Sequence, residues 1–550
     1  NCPENELAIW AQQSVAISSI KLGDFAAAKD AVEKLLTDFS EHNNIAKAVN
    51  KVADHYRWSK RYEKARQLYQ YVVDNWPQAE YAIWSQKSLV ISYIQFVDDP
   101  NADAAIEKLL SNFSEHKQIA NAVNMLADEC SVLKKYEKAR RLYQYFVANF
   151  PDDELAIWAQ QGVAVSNIKL RDDDAAQYAV EKLIADFSEH KDIAKAVNKA
   201  ADHYRWTAKY KKAKQLYQYV VDNWPQAEYA IWSQKSLAVS NMRLGDDPNA
   251  DAAIEKLLTD YSEHKQIANA LNMLADECTM LNRFDKAREF YQYVIDHRPE
   301  DKSAKRSEME IAKTNVLSLI ESGDDAAANQ ALDSLIADFN DYPKFSQVLF
   351  SIAEQSFYER NYRWAIKLWE LIPTESPGSY LESEIPYLLA TCYKQLEDNP
   401  TAIKYYKQVL QQYPDSRYAH RAAYRIALIY SFEGEYDNAL YWFEQQRELY
   451  PDSHLQARRA LMGTAAVYYW NLKDYEKGAQ AYQQYISEYP DYERALVAYH
   501  CMGKCYEKMG KKEQAIAVLQ EALQKFPGRG RSEEIAEDLQ RLRQGQGGEK

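Results

Sequence analysis

The sequence predicts an all-α solenoid of about fourteen helix pairs, and three observations carry that expectation. Apolar residues recur at helical spacing: Val49, Val52, Ala53 and Tyr56 in one run and, after a short polar break, Tyr62, Ala65, Tyr69 and Val72 in the next. The two runs and the closing Pro77, whose ring nitrogen has no hydrogen to continue a helix, return along the chain. Tyr (42) and Trp (12) are abundant while Gly (15) and Pro (16) are scarce, and no Val/Ile/Thr-rich alternating run suits a strand. A repeat array is read as one extended body, so 550 residues do not imply several independent domains.

Taken in order, Trp10, Trp84, Trp158 and Trp232 are spaced by 74 residues, and so are Pro77, Pro151, Pro225 and Pro299. Residues 1–299 are therefore read as four near-identical 74-residue units, each of two 37-residue helix pairs. In the first pair Gly23, Phe25 and Ala28 stand where Lys60, Tyr62 and Ala65 stand in the second, and Ser40 replaces the closing proline. A longer period of 148 is superposed: Asp54-His55-Tyr56-Arg57-Trp58 returns at 202–206, whereas 128–130 and 276–278 read Asp-Glu-Cys.

Residues 300–527 are read as six divergent pairs on the same spacing. Gly323 and Ala328 mark the ninth pair, whose first helix carries four extra residues and which ends near Asn340. Tyr362, Ala365 and Trp369 mark the tenth, ending at Pro377, and the last four end at Pro414, Pro451, Pro490 and Pro527. Residues 528–550 hold a capping helix, with Ser532 as the expected N-cap and Ile535, Leu539 and Leu542 on one face, followed by a frayed tail from Gln544. At the other end Asn1-Cys2-Pro3 aligns with Asn149-Phe150-Pro151, the close of a pair. The expectation is a chain cut from a longer one, or a first pair covered by another molecule.

The formal charge of −14 repels phosphate backbones and anionic membrane surfaces on average, so nucleic acid is not an expected partner. No run of 18 apolar residues is present, and no membrane-spanning segment is expected. Ser40-Glu41-His42 recurs at 114–116, 188–190 and 262–264 with the residue types of a hydrolytic triad. Three adjacent loop residues cannot hold nucleophile, base and carboxylate in line, so Ser is expected to cap the next helix and His to fill the turn. His500, Cys501 and Cys505 cluster locally, but a closed zinc site wants four ligands, and packing between helices is the expected role. Cys130 and Cys278 replace Tyr56 and Tyr204 at a core position and are expected to be buried. With no glycine-rich phosphate loop and no segment outside the repeats long enough for a catalytic domain, no enzyme activity, catalytic residue, cofactor or metal is expected.

The final pair reads Tyr499, Gly503, Tyr506, Gly510, Ala515, Ala522, Pro527, and the pair before Pro451 reads Ala427, Tyr430, Gly434, Tyr436, Ala439, Phe443. These residues resemble the tetratricopeptide repeat signature at its usual offsets. The odd-numbered pairs of the first half depart from it, with Ser-Glu-His in place of the proline. The resemblance implies a right-handed superhelical α-α solenoid whose surface binds protein or peptide partners. Helices ending in Tyr-Pro-Asp, at 413–415 and 450–452, also resemble repeats of bacterial cell-envelope proteins, which leans the localisation towards the envelope or the extracellular space.

In that family the first helix of each pair lines the concave face. Carried over, its outward positions include Lys47, Asn50, Lys51, Asp54, Arg57 and Trp58, with copies Lys195, Asn198, Lys199, Asp202, Arg205 and Trp206. In the divergent half Arg421, Arg425, Arg458 and Arg459 fall on adjacent first helices near Tyr424 and Trp470, a composition suited to anchoring a protein partner. The expected function is a non-enzymatic scaffold, and the alternative is a structural subunit that stacks head to tail with copies of itself into an extracellular filament.

Overall fold

The computed structural model describes residues 6–95, 99–343, 345–375, 380–451, 453–490, 492, 494–528 and 530–545. Pro377, the Asn1-Cys2-Pro3 junction and the tail beyond residue 545 lie outside the described residues. Among the described residues the regular structure is all helical, and fourteen pairs are followed by one further helix. The first seven pairs are α1 (Glu6–Leu22) and α2 (Phe25–Asp38), α3 (Ile45–Trp58) and α4 (Tyr62–Asn75), α5 (Ala82–Gln95) and α6 (Asp99–Asn112), α7 (Ile119–Val132) and α8 (Tyr136–Asn149), α9 (Ala156–Leu170) and α10 (Asp173–Phe187), α11 (Ile193–Trp206) and α12 (Tyr210–Asn223), and α13 (Ala230–Arg243) and α14 (Asp247–Asp260). The next four are α15 (Ile267–Met280) and α16 (Phe284–His297), α17 (Lys302–Ser322) and α18 (Asp325–Phe339), α19 (Phe345–Tyr358) and α20 (Tyr362–Glu375), and α21 (Ile385–Gln395) and α22 (Asn399–Gln412). The last three are α23 (Ala419–Glu433) and α24 (Tyr436–Leu449), α25 (His454–Ala466) and α26 (Tyr475–Glu488), and α27 (Ala495–Lys508) and α28 (Lys512–Lys525), with α29 (Ser532–Arg543) after them.

One backbone event makes each hairpin whose turn is among the described residues. The first helix ends on a left-handed residue, as at Gly23, Lys60, Lys134, Arg171, Ala208 and Gly245, and later at Gly323, Arg360, Glu397, Gly434, Lys473 and Gly510. Arg61 N–H then reaches back to Tyr56 O at 2.8 Å, and Lys135 to Cys130 O at 2.8 Å, satisfying carbonyls the helix end would leave open. Asp24, Asp172, Asp324, Asp398 and Asp474 start second helices by accepting an N–H three residues on, at 3.0–3.1 Å. Five residues past each left-handed residue stands a small one, among them Ala28, Ala65, Ala139, Ala213, Ala365 and Ala515, each fully buried.

The chain divides into two compact units, residues 1–274 and 275–550. In the first, successive helices pack on one another and first helices also pack on first helices, α1 on α3, α5 on α7 and α9 on α11. Tyr69, Tyr143 and Tyr217 are buried and each donates to the aspartate fifteen residues earlier, Asp54, Asp128 and Asp202, at 2.6 Å. Cys130 shares the buried position of Tyr56 and Tyr204, and burial pushes its thiol up to about 12. Gly162 in α9 lies under the Tyr143 ring of α8, where an added β-carbon would come within 2.6 Å.

In the second unit the same devices recur. Tyr291 donates to Asp276 at 2.6 Å, and Cys278 is buried with its thiol pushed up to about 12. The extra residues of the ninth pair lengthen α17 to 21 residues. Pro451 to Pro490 spans 39 residues, two more than the 37 from Pro414 to Pro451. The added length is taken up where α25 widens into a π-helical stretch, Val467–Leu472. A β-carbon on Gly463 would sit 2.5 Å from the Phe443 ring. Gly478 takes the place alanine holds elsewhere, and its β-carbon would meet Cys505 Sγ at 3.4 Å.

Two expectations about caps are corrected. Ser114 and Ser262 do not cap the following helix; each hydroxyl donates back to the preceding one, to Ser111 O and Thr259 O. The histidine closes the turn, as expected: Nδ1 of His42, His116, His190 and His264 accepts the N–H two residues on at 3.0–3.1 Å. Its ring meets Phe39, Phe113, Phe187 or Tyr261 edge-on. Ser532 is the first residue of α29 rather than its N-cap, and its hydroxyl donates to Phe526 O at 3.0 Å.

Gly478→Ala should stabilise α26 and its neighbours by about 0.5–1 kcal/mol, since helix propensity rises and the methyl fits. Gly463→Val should cost about 1–3 kcal/mol by overpacking Phe443. Amide exchange resolved by helix checks both, with α24 to α26 as the reporters.

Candidate partner-binding surfaces

The residues singled out in the first unit divide into two groups. Asn50 and Asn198, outward positions as the family resemblance implies, are buried, and Asp54 and Asp202 are drawn inward with them. Asn50 donates to Asp54 at 3.2 Å and accepts from Ser85 at 2.8 Å; Asn198 donates to Asp202 at 3.1 Å and accepts from Ser233 at 2.7 Å. Arg57 and Arg205 turn back to the hydroxyls of Tyr69 and Tyr217. These side chains complete a polar seam between neighbouring hairpins.

The other group reaches the surface. Lys47 and Lys51 lie over the Trp10 ring at 5.6 and 5.5 Å, and Lys47 also over Tyr81 at 5.4 Å. Their copies Lys195 and Lys199 lie over Trp158 at 5.3 and 4.9 Å, with Tyr229 5.5 Å from Lys195. The ammonium groups are held in place by ring faces rather than by carboxylates. Trp58 and Trp206 are 64% and 61% exposed, each edge-on to a histidine, His55 or His203. Between α7, α9 and α11 a cavity of about 270 Å³ is lined by Gly162, Val165, Lys199, Asp202, His203 and Trp206.

A feature that spacing alone did not reveal accompanies the tryptophans. Two residues before the left-handed turn, the even-numbered pairs from the second to the twelfth carry an exposed apolar side chain, Trp58, Val132 and Trp206 in the first unit and Met280, Tyr358 and Phe432 in the second, while the fourteenth carries Lys508. Odd-numbered pairs carry Lys21, Lys169, Arg243, Glu321, Gln395 or Asn471 at that place. The signal was legible once the turn residue was known, because only the turn sets the register for comparing divergent pairs.

In the second unit Arg421, Arg425 and Arg459 are exposed and Tyr424 is half-buried, its ring 5.9 Å from Phe443. Burial raises the Tyr424 phenol, while Arg459, Arg425 and Arg494 oppose that shift, so three cations from successive first-helix segments surround one tyrosine. Arg494 was not singled out by sequence. Arg458 is drawn aside, its guanidinium 3.3 Å from the Tyr492 ring centre. Trp470, 67% exposed on the π-helical stretch, stands eleven residues beyond Arg459, roughly 16 Å along the helix at 1.5 Å per residue. It belongs to a separate surface.

His500, Cys501 and Cys505 do not converge. His500 is buried against α29, with Nε2 2.7 Å from Asp538; Cys501 meets the Tyr482 hydroxyl; and Cys505 is buried with its thiol pushed up to about 12. The histidine thus fastens the capping helix, along with Arg541, which pairs with Glu507, and buried Ile535, Leu539 and Leu542.

Repeated 37-residue hairpins, a small residue at each crossing and first-helix faces carrying charged and aromatic groups define a helical-hairpin repeat protein. Profiles described as tetratricopeptide repeat match residues 16–80, 387–416, 420–453, 459–492 and 497–529, so the chain carries tetratricopeptide repeats in both of its units. No curated protein matches the sequence. Among solved structures the MamA protein is similar at 20% identity over 33% of this chain and 91% of its own, with a TM-score of 0.27. Naa15/Naa10 bound to HypK-THB is similar at 13% identity over 98% of this chain and 78% of its own, with a TM-score of 0.30. The P58(IPK) TPR domain is similar at 16% identity over 64% of this chain and 99% of its own, with a TM-score of 0.20.

The acid response follows from the histidines beside the tryptophans. Burial, with Lys169 and Lys199 nearby, lowers His203 from its ordinary 6.5 to about 4, and burial lowers His55 as well. A proton then binds the unfolded chain more readily, so these groups support folding above pH 6.5 and that support is lost as the pH falls towards 4. His203→Gln together with His55→Gln should flatten the dependence of thermal stability on pH within that window, as melts from neutral pH down to about 4 would read.

Proposed function

We propose that the chain is a non-enzymatic scaffold that holds other proteins or peptides along the faces of its first helices. The observation that carries this reading is the contrast within one set of positions. Asn50, Asn198, Arg57 and Arg205 are engaged inside the stack, while Lys47, Lys51, Trp58, Lys195, Lys199, Trp206 and the arginines around Tyr424 stand at the surface, held by rings or by no carboxylate. Tryptophan, tyrosine and arginine are the side chains that most often anchor protein interfaces. The tetratricopeptide repeats support a role in protein interaction.

Selection of a displayed random-peptide library on the full chain tests this. Peptides should be enriched, and their binding should fall about tenfold or more with Trp206→Ala or Arg425→Ala while Tyr441→Ala, on an exposed second-helix position, leaves it unchanged. Enrichment insensitive to the first-helix substitutions, or no enrichment, would remove the reading.

A further inference from the structure

We infer that the first helices of the twelfth to fourteenth pairs form a docking surface for a carboxylate-rich segment of a partner protein. The inference rests on the scaffold reading above and names the chemistry of one of its partners.

The background is acidic, with 81 Asp and Glu against 67 Lys and Arg. In the same unit most cations whose heads are fixed meet a carboxylate: Arg417 meets Glu384, Arg447 meets Glu488, Lys504 meets Glu534 and Arg541 meets Glu507. Arg421, Arg425, Arg459 and Arg494 break that habit. Among the described residues no carboxylate lies within ion-pair distance of any of them, and all four are exposed. Arg421 and Arg425 are one helical turn apart on α23, Arg459 is on α25, and Arg494 directly precedes α27.

Their neighbourhood follows from the packing of α23 on α25 and from the half-buried Tyr424, whose ring rests 5.9 Å from Phe443. Arg425, Arg459 and Arg494 all act on Tyr424, and Arg494 also acts on Tyr485 beside Arg458. Where a guanidinium of this group has a described partner, it is a phenol: Arg458 is stacked on Tyr492 and hydrogen-bonds Tyr485, Arg425 hydrogen-bonds Tyr387, and Arg421 lies 5.8 Å from the Tyr418 ring centre. The result is a strip of guanidinium groups from three successive hairpins with an aromatic floor. Guanidinium groups take carboxylates in pairs of parallel hydrogen bonds, and exposed like charges repel until a counter-charge arrives. An extended acidic segment crossing the hairpins would neutralise each arginine in turn. Its side-chain carboxylates would make the contacts, so a free chain terminus is not required.

The probe is an acetylated, amidated, fluorescein-labelled peptide of ten glutamates, with a ten-lysine peptide and a single-stranded oligouridylate of similar length as comparisons. Fluorescence anisotropy with the full chain should show binding of the glutamate peptide that weakens as ionic strength rises, and no binding of the lysine peptide. Arg425→Glu with Arg459→Glu and Arg494→Glu should weaken binding about tenfold or more. The neutral set Arg425→Gln, Arg459→Gln and Arg494→Gln should give an intermediate loss, with helicity by circular dichroism unchanged in both. The oligouridylate should bind more weakly than the glutamate peptide. Equal affinity of the charge-reversed and native chains would overturn the inference, as would a preference for the oligouridylate that the same substitutions abolish. If the glutamate peptide fails to bind while library peptides still bind in a manner sensitive to Trp206→Ala, the acidic-segment inference falls and the scaffold reading stands.

Discussion

Everything in this chain depends on two helices approaching closely enough to share a core, and that approach is set by one small side chain per hairpin. Ala28, Ala65, Ala139, Ala213, Ala365 and Ala515 are fully buried at the same distance past the left-handed turn. A larger residue there would hold the helices apart, and the aromatic and branched residues around it would lose their contacts. A single hairpin of this size cannot cover both of its faces. The second face is covered by the next hairpin, and this nearest-neighbour dependence makes the stack quasi-one-dimensional.

Polar links complete the seam. The Tyr–Asp hydrogen bond at 2.6 Å joins the two helices of a pair, and Ser85 to Asn50 or Ser233 to Asn198 joins one pair to the next. Buried polar groups of this kind fix register, because sliding one helix would leave donors and acceptors without partners. The side chains available to a partner are those the seam does not consume. For that reason the lysines over Trp10 and Trp158, the exposed tryptophans and the arginines around Tyr424 are separable from the residues beside them.

Much of the fold was legible in the sequence because repetition exposes it. The 74-residue spacing of tryptophan and proline, and the tetratricopeptide residues of the last pairs, yield the hairpin count that the structure shows. Less legible was which face a polar residue takes. Asn50 lies at the same helical phase as Asp54, and whether it meets solvent or a neighbour depends on Ser85, thirty-five residues away. His42 and its copies carry the composition of a triad but act through Nδ1 to close the turn before the next helix, a role decided by the turn geometry. His500 was grouped with cysteines by proximity in sequence, while its partner Asp538 comes from the capping helix. Arg494 escaped notice because its importance lies in two tyrosines on other hairpins, Tyr424 and Tyr485.

The central claim, that stability passes only between neighbouring hairpins, is tested most directly by native-state amide exchange on a Tyr217→Phe variant, which removes the buried link to Asp202. Faster exchange in α9 to α13, with α1 to α4 and the helices beyond α23 unchanged, is the predicted result. Uniform acceleration over the whole chain, or an effect that stays inside α12 alone, would contradict it.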